Sequence, residues 1–260
     1  MIAVQVALLS EPGGRKVNED ACGYWSSDRL FCAVLADGAG GHGGGDVASR
    51  LAVQTLLASF SDSPSASGPD LARLVRQTNQ AILDGRHKSK ALEQMHTTIV
   101  CLAIDLIDGS THWAHSGDSR LYWFRGGRLV ERTRDHSFVQ SLVSAGMLQE
   151  ANTRSHPKRS VLHSALGRED AELELTSTGS SPRMLGGDRF LLCSDGVWEH
   201  LTDEVLESLL QTADTPKAWV DGIAQAIFSA TRSLTSHDNF TALGVWLEEP
   251  DDDVTITRAT

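Results

Sequence analysis

Val34–Leu51 reads VLADGAGGHGGGDVASRL, and two of its features pull toward different folds. From Gly38 to Gly43 it spells G-x-G-x-x-G, after an apolar run and before a helical one, with Asp62 following where a ribose-binding carboxylate would sit. The second feature is Asp37, which ends the apolar run LFCAVLAD just before the first glycine. A dinucleotide fold requires strands and helices that alternate along the whole chain. An aspartate placed at a strand end fits a different architecture, provided other aspartates do the same.

The pattern outside this stretch favours the second reading. Short β-branched or aromatic runs recur at Ile2–Leu9, Leu30–Ala36, Thr97–Asp105, His112–Ser116, Leu121–Phe124, Arg128–Arg132, Arg189–Cys193 and Thr241–Leu247. Gly, Asp or Ser bounds most of them, as expected of strands. Arg125-Gly126-Gly127-Arg128 predicts a tight hairpin, because paired glycines supply positive φ. Helical periodicity marks Asp46–Phe60, Asp70–Leu83, Thr202–Thr212 and Pro216–Ser233, with Ser61–Pro69 as a polar loop. The order is strands, two helices, many strands, two helices, one strand. It predicts an α+β fold of antiparallel sheets covered by helices rather than a βαβ array.

Five aspartates sit at the ends of these strands. Asp37 ends LFCAVLAD, Asp195 ends RFLLCSD and Asp118 ends THWAHSGD; Asp20 precedes ACGYW and Asp238 precedes NFTALGVW. Asp37-Gly38 and Asp195-Gly196 read as Asp-Gly turns. Clustered carboxylates repel one another, so such a set costs stability unless cations neutralise it. Mg²⁺ and Mn²⁺ prefer oxygen ligands. A pair of them ~3.5–4 Å apart needs a bridging carboxylate and can deprotonate a water for in-line attack on phosphorus. Arg15, close to Asp20, offers a planar fork for two phosphate oxygens.

Composition narrows the partners. The 260 residues are 40% hydrophobic, enough for a sizeable core, and the formal net charge of −11 argues against a nucleic-acid partner. Cys22, Cys32, Cys101 and Cys193 form no CxxC pair and sit beside apolar residues, as reduced thiols do in a cytoplasmic protein. No apolar run approaches the ~20 residues of a membrane span, and MIAVQVALLS lacks the basic start of a signal peptide.

Taken in order, RKVNED (Arg15–Asp20), LADGAGGHGGGDVAS (Leu35–Ser49), Thr97-Thr98, HSGDSRLYWF (His115–Phe124), RDHS (Arg134–Ser137), the stretch Ala145–Gly167, LLCSDGVWEHLTDEVL (Leu191–Leu206) and DNFTALGVW (Asp238–Trp246) resemble the metal-dependent protein phosphatases of the 2C type in their compact bacterial form. The resemblance spans nearly the whole chain, and eight motifs in sequence make it specific. It implies a four-layer α-β-β-α sandwich, with residues 1–248 as one catalytic domain, a flap near 148–164, and 249–260 as an acidic tail. It implies hydrolysis of phosphoserine and phosphothreonine with two Mn²⁺ or Mg²⁺ ions, and a third, looser metal.

By motif position, Asp37 would bridge the two metals and Gly38 would lend its carbonyl. Asp195 and Asp238 would complete the first metal's shell, and Asp20 and Glu19 would act around the second. Asp118 would share the third metal with Asp195, Arg15 would grip the substrate phosphate, and Asn239 would orient Asp238. Where eukaryotic relatives place a histidine general acid this chain has Ala39, and His42 is the nearby candidate, ranked below a metal-bound water or the substrate's own leaving group. His96 stands where the family usually has glycine. The implied partners are phosphoproteins made by a cognate Ser/Thr kinase, acted on by a cytoplasmic monomer similar to the phosphatases encoded with type VI secretion systems. A catalytically dead binding module would have lost metal aspartates, and all of them are present.

Overall fold

Strands with one apolar face must bury it, and here two sheets do so against each other. The computed structural model describes residues 2–39, 44–179 and 183–249, so His42 and residues 250–260 of the tail lie outside the described residues. One sheet is ordered β1 (Ala3–Glu11), β11 (Phe240–Glu248), β10 (Arg189–Cys193), β7 (Arg120–Arg125), β8 (Arg128–Arg132). The other is ordered β2 (Asp20–Ser26), β3 (Leu30–Ala39), β5 (Ile99–Asp105), β6 (Thr111–Ser116), β9 (Thr176–Ser177), with β4 (His96–Thr97) paired to the far end of β3. Every pairing is antiparallel.

Three apolar layers hold the sandwich. Leu35, Leu102, Phe190 and Leu243 meet between the sheets. Helices α1 (Gly45–Asp62) and α2 (Gly68–Arg86) cover the second sheet. Ala48, Ala52, Leu56 and Phe60 recur at helical spacing and present one buried face of α1. Helices α5 (Asp203–Gln211) and α6 (Pro216–Thr231) cover the first sheet through Leu206, Leu210, Trp219 and Ile223. Burying each large side chain of this kind stabilises by roughly 1.5–3 kcal/mol. The four-layer α-β-β-α sandwich is therefore present. Strand β5 is buried along its whole length because it lies mid-sheet, between helices on one face and the other sheet on the second.

Local chemistry sets many boundaries. Ser67, Thr202 and Thr215 each accept a hydrogen bond from the third residue onward, and Pro69 and Pro216 follow at positions that need no N–H. Gly126 and Gly127 have φ of 58° and 73° and make the hairpin between β7 and β8.

The structure also departs from the sequence expectations. Asp37-Gly38 is no turn: β3 continues to Ala39, because Gly38 N–H donates to Glu19 O at 3.0 Å and the strand pairs with β4. Asp195-Gly196 opens a short helix, α4 (Asp195–Trp198), instead of a turn. The expected strand 97–105 breaks at Thr98, whose side chain takes the place of a ladder partner for Asp37. Strand β2 was hidden by its mixed, half-buried residues. The polar excursion is preceded by a short helix, α3 (Phe138–Ser144), capped by Ser137.

Candidate metal centre

The sandwich brings the five aspartates to one end. Register places Asp20 of β2 directly opposite Asp37 of β3. Asp118 lies in the turn from β6 to β7, Asp195 follows β10, and Asp238 precedes β11. Asp37, Asp118, Asp195 and Asp238 line a cavity of about 370 Å³ together with Arg15 and Glu19, and Ser160 and Leu162 of the excursion close one side. Asp20 is buried behind them. A larger hollow of about 1050 Å³, at the edge of the sandwich beside α3, is lined by His115, Asp135, His136 and Glu174 among others and holds none of these five.

Each aspartate is held differently. The Asp37 backbone N–H donates to Thr98 Oγ1 at 3.0 Å, and its carbonyl accepts from Thr98 N–H and from Thr97 Oγ1. Asp20 Oδ2 accepts from Ser194 Oγ at 2.7 Å, while its buried Oδ1 has no partner among the described residues. Asp238 Oδ2 accepts from Arg15 Nη2 at 2.9 Å, and its Oδ1 accepts from Asn239 N–H. Asn239 thus meets Asp238 through its backbone N–H, while its side chain clamps the Pro12–Glu19 loop, accepting from Glu19 N–H and donating to the carbonyls of Pro12 and Val17.

The glycines after the aspartates serve close packing. A Cβ on Gly38 would lie 2.2 Å from the Gly45 carbonyl oxygen and 2.6 Å from that of Glu19. One on Gly196 would lie 2.0 Å from the Asn239 carbonyl. Only glycine lets these backbones meet at the site.

Burial and mutual repulsion dominate the electrostatics. Both push the carboxyls of Asp37 and Asp195 well above the ordinary range. Burial first, and then the nearby Asp135 charge, raise Asp118 to about 7. Burial raises Asp20 to about 6 against the opposing Ser194 hydrogen bond. As they stand, no three acidic, histidine or cysteine side chains among the described residues are gathered closely enough to ligate one ion. The donor set nonetheless fits hard divalent cations: it is all oxygen, one buried oxygen is unpaired, and the charges lack enough compensating cations.

This geometry coincides with a family signature. The protein phosphatase 2C model matches residues 14–221. The chain belongs to the protein phosphatase 2C family. Among its curated relatives is the serine/threonine protein phosphatase PstP of Mycobacterium tuberculosis, 37% identical over 221 residues. That alignment takes in 84% of this chain but only 41% of the relative, so the chain spans less than half the length of PstP. A solved PstP catalytic domain in complex with 2 manganese ions superposes with TM-score 0.76 at 30% identity, covering 96% of this chain and 100% of that one. PppA, described as a key regulatory component of the type VI secretion system in Pseudomonas aeruginosa, superposes with TM-score 0.73 at 34% identity, covering 94% and 97%.

Within this protein phosphatase 2C fold, the roles of several residues near the site escaped the sequence reading. Ser194 and Thr98 stand inside the matched motifs, yet residue type alone does not say that they hold Asp20 and Asp37. His115 and His136 stack with ring centroids 4.6 Å apart beneath the turn that carries Asp118. His115 Nε2 lies 2.8 Å from the Arg134 carbonyl and must carry the proton, which leaves Nδ1 bare and unpartnered among the described residues. Burial lowers both histidines from 6.5 to about 4, His136 adding to the effect on His115. Unfolding restores the ordinary value, so the unfolded chain binds more protons between these limits. The stabilisation from a neutral His115 is present above pH 6.5 and is lost as pH falls from 6.5 to 4. Its share of that loss by pH 4.5 is on the order of 2–3 kcal/mol. Urea unfolding of the wild type and His115→Gln at pH 7 and 4.5 measures it. The wild type should lose that much more stability on acidification than the variant; equal losses would refute the assignment.

Proposed function

We propose that this chain is a metal-dependent protein serine/threonine phosphatase that hydrolyses phosphoserine and phosphothreonine with a water activated between two metal ions. The observation that carries the reading is the convergence of Asp37, Asp118, Asp195 and Asp238 on a cavity that also holds Arg15. When bound, two Mn²⁺ or Mg²⁺ ions supply the charge that ionises water and that offsets charge developing on the phosphoryl oxygens. Asp37 sits centrally, with the charges of Asp20 and Asp195 its strongest neighbours, which suits a carboxylate shared by both ions. Asp195 and Asp238, with the Gly38 carbonyl, would hold one; Asp20 and Glu19 would act around the other; Asp118 and Asp195 would hold a third. Arg15 can release Asp238 once cations neutralise it, and then turn its fork to the substrate phosphate. Among the described residues no histidine lines the cavity, and His42 ranks below water or the substrate's own leaving group as the source of the proton for the departing oxygen.

The same reading takes residues 1–248 as one catalytic unit, with the excursion near 148–164 as a flap and 249–260 as a tail. Its substrates are phosphoproteins made by a cognate Ser/Thr kinase, without nucleic acid or membrane as partner, and it works as a cytoplasmic monomer. No helix among the described residues is long and apolar enough to cross a membrane. The likeness to PppA supports a role in signalling around type VI secretion. The test is release of inorganic phosphate from phosphoserine and phosphothreonine peptides. Release is expected in Mn²⁺ or Mg²⁺; its absence in both would overturn the proposal.

A further inference from the structure

The turn that carries Asp118 is pinned at four successive residues. The N–H of Gly117 donates to His136 Nδ1 at 3.2 Å, and its carbonyl accepts from His136 N–H at 2.9 Å. The Asp118 carbonyl accepts from Trp198 Nε1 at 2.9 Å. The Ser119 hydroxyl meets that of Thr98 at 2.7 Å, and Thr98 in turn holds Asp37. Arg120, the next residue, forms two parallel 2.8 Å hydrogen bonds to Asp135, with side chains 4% and 3% exposed. Its guanidinium lies 3.8 Å from the centre of the Trp198 ring.

This arrangement costs more than an apolar filling would. A buried ion pair repays its desolvation only when the geometry is good and further hydrogen bonds satisfy it, so it is weak evidence for stability as such. What a planar fork stacked on an indole supplies is a fixed position and orientation. The position fixed here is functional. Trp198 ends α4, the helix that Asp195 opens, and Asp135-His136 lead into α3 and the excursion. Arg120 therefore ties together the three segments that must agree if Asp118 and Asp195 are to face one ion.

The geometry points to Arg120, Asp135 and Trp198 as positioning residues that set the Asp118 carboxylate against Asp195, so that the outer metal finds its ligands already placed. This rests on the proposed reading of Asp118 as a ligand. Groups that orient metal ligands from behind typically change metal affinity by about 10–100-fold when removed. The clamp reaches Asp118 through its backbone, so the low end of that range is expected.

The experiment is calorimetric titration of the metal-stripped protein with Mn²⁺, free of any activity readout. Trp198→Phe keeps a ring face for Arg120 but removes the donor to the Asp118 carbonyl. It is expected to weaken the weakest Mn²⁺ step by roughly tenfold and leave the others unchanged. Asp135→Asn, nearly the same shape, should weaken the same step and covers the case in which the first variant folds poorly. Phe60→Leu is the control for general loosening, since Phe60 is a fully buried side chain in the α1 layer, outside the apolar cluster that holds Trp198. It should titrate like wild type. Asp118→Asn should abolish that step. If Asp118→Asn abolishes it while Trp198→Phe and Asp135→Asn both titrate like wild type, the clamp is refuted and the ligand reading stands. If Asp118→Asn itself titrates like wild type, the ligand reading fails and takes the clamp with it.

Discussion

Turnover of a phosphothreonine peptide is expected to fall at least about 10³-fold on Asp37→Asn, and as far on exhaustive chelation, because either removes more than ~4 kcal/mol of transition-state stabilisation. The two changes should separate on stability. In the stripped protein Asp37 is a buried carboxylate among Asp20, Asp195, Asp118 and Asp238, all raising its pKa. A carboxylate whose folded-state pKa is raised costs stability at neutral pH, and that cost shrinks as pH falls toward its ordinary value near 3.8. Asparagine keeps the shape without the charge and can donate to the unpaired Asp20 oxygen. Stripped Asp37→Asn should therefore be more stable than stripped wild type by on the order of 1–3 kcal/mol. For a chain of this size that is about 2–4 °C in Tm per kcal/mol. Scanning fluorimetry in EDTA at pH 7.5 and 4 checks both parts: a higher Tm for the variant at pH 7.5, and a narrower gap at pH 4. A variant that melts below stripped wild type, or that keeps turnover within tenfold, would refute the electrostatic account of the centre.

Arg15→Ala is expected to raise KM for a phosphopeptide about 10–150-fold, the worth of a charge-assisted hydrogen bond at 1.5–3 kcal/mol. The partner of Arg15 among the described residues is Asp238, in a surface ion pair whose side chains are 56% and 45% exposed. Exposed pairs of this kind contribute little to stability. Tm should consequently stay almost unchanged while KM rises, which distinguishes phosphate binding from structural damage. Arg15→Lys should recover only part of the loss, since an ammonium cannot fork across two phosphate oxygens. Steady-state kinetics in saturating Mn²⁺ provides the measurement, and an unchanged KM in Arg15→Ala would remove Arg15 from the phosphate site.

The residues behind these effects differ in how legible they are along the chain. Asp37 and Asp195 stand out because each ends a hydrophobic run, and a strand-end position is a local property of the chain. The hairpin at Gly126-Gly127 and the helix start at Thr202 are legible on the same ground. Strand β2 is not, since its half-buried residues lack a clear alternation. Asn239 belongs to the expected site and meets Asp238 through its backbone N–H, but nothing local says that its side chain spans to Glu19, 220 residues away. The SGDSR, RDHS and SDGVW motifs are each visible, but nothing within any one of them says that Arg120, Asp135 and Trp198 touch.

The sequence by itself determined that antiparallel sheets are covered by helices, and it determined the family. The first follows from periodicity and the second from motif order, which short stretches carry intact; the four-layer arrangement came with the family resemblance. Only the tertiary structure decided that Asp20 opposes Asp37, that Gly38 makes room for the backbones of Gly45 and Glu19, and that a buried ion pair stands behind Asp118. The physical reason is that register, close approach and desolvation are properties of segments brought together. A carboxylate's pKa and a glycine's necessity depend on neighbours that the chain supplies from distant positions.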